Sequence, residues 1–187
     1  MGASNSSSGA NQVLLLGLEK TGKTTFLKQI TETYTKEHKD VQLDSTTGIN
    51  FVSLEINNTS YDFWDIGGDP ISISFWPTLY RTIKVDRVLF FIDLSDQSTY
   101  SSSIRELLKV INEEELKHAT FFLIFNVTNE KEKPRENEIN EKKKELYEEK
   151  LKTLPLMNYE SRVSSEILDV AQNKYTDQFL KQCFKVA

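Results

Sequence analysis

The chain has 187 residues, 27% of them charged, and a formal net charge of −5 at neutral pH. That length holds one α/β domain with a full core, and the acidic balance disfavours nucleic acid as the main partner. A single cysteine, Cys183, excludes an internal disulfide and suits a reducing cytosol, no apolar run reaches the length of a membrane span, and His38 and His118 lack ligand spacing.

Residues 1–11 read as a flexible polar tail rich in serine, followed by one domain over residues 12–187. Met1-Gly2-Ala3-Ser4-Asn5-Ser6 fits the N-myristoylation pattern, with the Gly2 amine as acceptor. The alternative is a disordered start that happens to carry glycine second. One acyl chain, with no basic cluster or second cysteine beside it, gives reversible contact between a cytoplasmic protein and a membrane. The tail lacks the basic and apolar regions of a secretion signal.

Val13, Leu14, Leu15 and Leu16 form a short apolar run, expected as a buried strand. Residues 25–36 contain no Gly or Pro and predict a helix. Val52, Leu54 and Ile56 alternate with polar residues, residues 57–60 read as a polar turn, and residues 61–66 follow as a second strand, so the pair predicts a hairpin. Residues 88–92 and 121–125 are continuous apolar runs, as central parallel strands require. Between them, residues 101–117 carry Ile104, Leu107, Leu108 and Ile111 at helical spacing. Residues 130–152, rich in Glu and Lys, predict a solvated surface helix after Pro134. Residues 159–163 are expected as a last short strand. Residues 165–185 are expected as a closing amphipathic helix, with Ile167, Leu168, Ala171, Tyr175, Phe179 and Leu180 toward the core. The order predicts an α/β fold: a mostly parallel six-stranded sheet with helices on both faces and one antiparallel hairpin. Ligands of such sheets bind beyond the carboxyl ends of the strands.

Between the first strand and first helix stands Gly17-Leu18-Glu19-Lys20-Thr21-Gly22-Lys23-Thr24, which fits G-x-x-x-x-G-K-[ST]. Gly17 and Gly22 let the backbone bend and bring its N–H groups to an anion. The helix that follows aims its unpaired N–H groups and positive dipole end at the same point. Lys23 adds a mobile positive charge, and the Thr24 hydroxyl suits Mg²⁺.

Four segments in order carry a resemblance: residues 17–25 of this loop, Ser45-Thr46-Thr47-Gly48-Ile49-Asn50, Trp64-Asp65-Ile66-Gly67-Gly68 and the weaker Asn126-Val127-Thr128-Asn129. Together they resemble a small GTPase of the ADP-ribosylation factor-like branch, over nearly the whole chain. The resemblance implies the G domain of the P-loop NTPases, binding GTP or GDP with Mg²⁺. By it, Gly17, Leu18, Glu19, Lys20, Thr21, Gly22, Lys23, Thr24, Thr25, Thr46, Gly68, Asn126 and Asn129 contact the nucleotide. Thr24 and Thr46 hold the metal directly and Asp65 holds it through water. Lys23, Thr46, Gly68 and Asp69 act on the terminal phosphate. Loops around residues 40–50 and 67–82 would be ordered by that phosphate and recruit effector and regulator proteins. Phe51, Trp64, Phe75, Trp76 and Tyr80 are candidate partner-binding aromatics there, with core packing the competing role for Phe51 and Trp64.

The chain departs from the family in three places. Asp69 stands where the family has Gln; an ionised carboxylate cannot donate to the transition state, which predicts slow hydrolysis. Asn126-Val127-Thr128-Asn129 replaces Asn-Lys-x-Asp, so one guanine donor loses its acceptor and base choice relaxes or is lost. Ser164 and Ser165 are the residues expected in the remaining base-contact loop. The tail also lacks the apolar residues of the amphipathic helix that relatives carry. Two functions stand against each other: a guanine-nucleotide switch, and a scaffolding pseudo-GTPase with weak or no turnover. A small kinase shares the phosphate loop, but residues 64–68 speak against it.

Overall fold

Val13, Leu14, Leu15 and Leu16 are all fully buried, and they face in two directions. Leu14 and Leu16 join one apolar cluster, Val13 and Leu15 the other. A strand covered on both sides needs no polar alternation, which explains the continuous run. The computed structural model describes residues 9–35, 48–127, 145, 148–149, 161–170 and 177–184. Several sequence expectations fall outside them: Gly2, His38, Thr46, Thr47, Thr128, Asn129, Tyr159, Ala171, Tyr175 and most of residues 130–152.

The strands are β1 (Asn11–Gly17), β2 (Ile49–Ile56), β3 (Thr59–Ile66), β4 (Arg87–Asp93), β5 (Thr120–Asn126) and β6 (Val163–Leu168). The described helices are α1 (Lys23–Tyr34), α2 (Pro70–Thr82), α3 (Gln97–Ile111) and α4 (Asp177–Phe184), with a short 3₁₀ turn at Glu114–Leu116. The six strands lie in the order β2-β3-β1-β4-β5-β6. Among the described residues β2 and β3 pair antiparallel and the other four pairings are parallel. Helices α2 and α3 cover one face through Trp76, Tyr80, Leu107, Val110 and Ile111. Helices α1 and α4 cover the other through Phe26, Leu27, Ile30, Phe179 and Phe184. The sheet, its hairpin and the helices on both faces agree with the sequence expectation. Among the described residues, no helix is long and apolar enough to cross a membrane.

Four boundaries differ from expectation, each for a physical reason. The hairpin turn is Asn57-Asn58 alone, both in the left-handed region at φ 49° and 59°, while Thr59 and Ser60 already pair with β2. Successive left-handed residues match the twist of a two-residue hairpin. Residues 70–82 form a helix rather than a loop, started by Asp69 and Pro70. Helix α3 starts at Gln97, where Asp96 accepts from the Ser98 N–H at 2.9 Å, and stops at Ile111. Residues 163–168 are a strand, so Ile167 and Leu168 pack from β6 and not from a closing helix.

Candidate functional site

The strand order reverses direction at β1: the chain moves to β3 on one side and later to β4 on the other. Such a switch point leaves a crevice at the strand's carboxyl end. The loop Leu18 to Gly22 fills it, and Gly17 closes β1 below. Gly22 sits at φ 98° as the N-cap of α1, and a Cβ there would lie 2.7 Å from Asn126 Nδ2. Among the described residues no side chain caps α1, and its first-turn N–H groups face the loop.

Lys23 is buried, and its Nζ donates to the carbonyls of Gly17 at 2.8 Å and Leu18 at 2.7 Å. Burial lowers its pKa from 10.5 to about 8, against the opposing pull of the Asp65, Glu19 and Asp69 charges. Thr21 is buried and donates its hydroxyl to the Leu18 carbonyl at 2.8 Å, fixing the loop from within. Thr25 is exposed at the first turn of α1.

Asp65, fully buried at the end of β3, accepts from the Thr24 hydroxyl at 2.7 Å and from Asn50 Nδ2 at 3.1 Å, both on the same oxygen. Asn50 has no expected role in the sequence reading; its side chain fixes the carboxylate from β2. A hydroxyl and a carboxylate oxygen within hydrogen-bond reach of each other suit a hard cation that keeps most of its water. The chemistry of this donor set therefore fits Mg²⁺. No group of three or more His, Cys, Asp or Glu forms a metal cluster among the described residues.

Gly68 lies against the loop. A Cβ there would run into the backbone of Gly17, Leu18 and Glu19, so only glycine fits. Its carbonyl accepts from the Glu19 N–H at 3.0 Å. Gly67 donates to the Gly48 carbonyl at 3.0 Å and accepts from the Trp76 indole at 3.1 Å. Asp69 turns away from this contact. Its Oδ1 accepts from the N–H groups of Ile71 at 3.0 Å and Ser72 at 3.1 Å, and its Oδ2 from the Ser72 hydroxyl. These bonds hold its carboxyl below the usual aspartate range. The Asp-Pro-x-Ser pattern is a legible helix start that the sequence reading passes over.

Asn126, buried at the end of β5, donates to the Thr21 carbonyl and accepts from the Val170 N–H, both at 3.1 Å. It thus ties the phosphate loop to the loop after β6. Val127 is buried beside it. Ser164 and Ser165 lie inside β6, so the loop beyond that strand presents Asp169 and Val170 instead. Trp76 and Tyr80 are core residues, not partner contacts. Phe51 and Phe75 are exposed, together with Ile49 and Ile71, and Phe51 rests on Trp64 with ring centroids 4.5 Å apart. A cavity of about 540 Å³ opens between Leu18, Gly68 and Ile73 on one side and Asp96 and Arg105 of the α3 region on the other.

Known proteins resemble the chain in sequence and in fold. The chain resembles ADP-ribosylation factor-related protein 1 of Rattus norvegicus, 31% identical over 117 residues, covering 61% of this chain and 57% of that protein. It also resembles human ADP-ribosylation factor-like protein 5A, 32% identical over 122 residues, 65% of this chain and 64% of the relative. The chain thus spans less than two thirds of these relatives. Its fold matches that of the Arl6 BBS3 small GTPase from Trypanosoma brucei with bound nucleotide analogue GppNp, at a TM-score of 0.70 and 19% identity, covering 95% of this chain and 96% of that one. The ADP-ribosylation factor family pattern matches residues 3–177. With the phosphate loop at the switch point and Trp64-Asp65-Ile66-Gly67-Gly68 packed against it, that match settles the relationship: the chain belongs to the ADP-ribosylation factor family.

Proposed function

We propose that the chain is a guanine-nucleotide-binding switch that takes GTP or GDP with Mg²⁺ and recruits partner proteins. The observation that carries this reading is the buried Lys23 ammonium at the uncapped N-terminus of α1, with Thr24 and Asp65 beside it. A desolvated ammonium gains most from a polyanion. Thr24, and Thr46 by resemblance, would hold Mg²⁺ directly, with Asp65 acting through water; the metal would neutralise charge on the terminal phosphates. Lys23 and the loop N–H groups orient the phosphates. Asn126 steadies the loop, and Asn129 with Val127 leaves base choice relaxed. Ile49, Phe51, Ile71 and Phe75 offer partners an apolar surface. Gly2, if acylated, supplies reversible membrane contact.

A titration with fluorescent GDP in Mg²⁺ tests the reading, with GTP, ITP and ATP as competitors. Wild type is expected to bind, guanine nucleotides are expected to compete by a modest margin, and Lys23→Ala is expected to weaken binding by at least about thirtyfold. Failure of wild type to bind any purine nucleotide refutes the reading. The pseudo-GTPase reading keeps support from one observation, the commitment of Asp69 to helix capping. Single-turnover hydrolysis by wild type and Asp69→Gln separates the two: slow turnover that rises in the variant keeps the switch, and a fast wild type unaffected by the change overturns the role given to Asp69.

A further inference from the structure

We infer that Asp69 is a positioning residue that keeps α2 folded against the phosphate loop whether the nucleotide is a diphosphate or a triphosphate. This deepens the switch reading above and rests on it for its meaning.

The argument is an accounting of donors. A helix leaves its first N–H groups without internal partners, and these are what an anion or water ordinarily satisfies. In α2, Pro70 has no N–H to offer. Ile71 and Ser72 donate to the Asp69 carboxylate, and Ile73 donates to the Asp69 carbonyl at 2.9 Å. The Ser72 hydroxyl donates to the second carboxylate oxygen. Asp69 alone therefore satisfies every donor of the first turn. The segment just before it is tied as well. Gly67 is held by Gly48 and by the indole of Trp76, and Gly68 by Glu19. Trp76 is itself buried, its ring edge-on to Phe90. Each of these partners is a group of the chain itself.

A Gln at this position would change the balance. Its longer side chain is a poor N-cap, so the first turn would lose its partner and depend on other contacts to stay folded. Asp69 thus exchanges a residue that could orient a water for one that fixes the helix. The surface carrying Ile71 and Phe75 is then presented in both nucleotide states, and the response to the terminal phosphate is confined to other segments.

Hydrogen exchange on the full chain tests this, with GDP, with GTPγS and without nucleotide. The Ile71 and Ser72 amides of wild type should be protected to the same degree in all three. Asp69→Ala and Asp69→Gln should exchange there roughly fivefold faster or more, and Asp69→Asn, which still caps, should restore protection. The inference is overturned if wild type exchanges freely at these amides with GDP or without nucleotide and slows only with GTPγS, or if Asp69→Ala leaves protection unchanged. Fluorescent-GDP binding, read separately on the same samples, reports on the nucleotide reading. A chain that binds nothing yet keeps the Asp69-dependent protection loses that reading and retains the cap. Circular dichroism on each variant confirms that the fold survives.

Discussion

Lys23 holds its charge against its surroundings. In the unfolded chain the ammonium keeps its proton to about pH 10.5, whereas burial in the folded chain lets it go near pH 8. Between those values the unfolded state binds more protons, so this residue's contribution to stability rises with pH across that window; below it the buried ammonium opposes folding. A polyphosphate reverses the preference, because the anion favours the charged form. Nucleotide binding above pH 8 should therefore take up a proton at Lys23. Calorimetry at pH 8.5 with EDTA, in two buffers of different ionisation enthalpy, should show uptake of roughly half to one proton per GDP. Lys23→Arg, which stays charged, should show none. Equal values for the two proteins would mean that Lys23 never loses its proton. The motif made this lysine legible in the sequence. Its carbonyl partners on Gly17 and Leu18 lie within the motif, whereas the adjoining Thr24 meets Asp65, 41 positions away, only once β1 and β3 pair.

Elements were legible in proportion to how completely they are covered. Strands β1, β4 and β5 carry unbroken apolar runs because helices lie on both of their faces. Strand β6 is harder to read. Ser164 and Glu166 interrupt it, its residues are mostly half-buried, and its end runs into the apolar spacing of the next segment. Helix α2 was expected as a loop by the family resemblance; Pro77 lies inside it, and Trp76 and Tyr80 sit four apart on its buried face. The cap at Asp69-Pro70 was the available signal. The hairpin supplies a prediction at this scale. Asn58 is held at φ 59°, where a side chain with a Cβ is disfavoured and asparagine is better tolerated than most. Asn58→Ala should destabilise the fold by about 1 kcal/mol, and Asn58→Gly should be neutral or stabilising. Urea unfolding at unchanged m-value measures both. An alanine variant as stable as wild type would show that the turn relaxes into another geometry.

For the molecule as a whole, one sheet separates two apolar layers, and each carries its own reporter. Trp76 lies in the layer of α2 and α3. Cys183 lies in the layer of α1 and α4, fully buried in the same cluster as Phe179 and Phe184. Burial pushes its thiol well above the ordinary value, which lowers the reactive thiolate further. The Tyr61 hydroxyl donates to the Phe184 carbonyl at 2.7 Å, tying α4 to β3. The strands shared by both layers couple them: Leu14 and Leu15 are neighbours in β1 yet belong to opposite clusters, as do Phe90 and Phe91 in β4. Loss of either layer would expose the reverse side of residues that anchor the other, so the two should unfold together. Cys183 should resist a thiol reagent in native buffer and become reactive along a urea curve that overlays tryptophan fluorescence. Were α4 to detach by itself, thiol labelling would rise at urea concentrations where fluorescence is still native. That separation would show α4 to be a unit distinct from the rest of the fold, including the α1 whose N-terminus carries the phosphate loop.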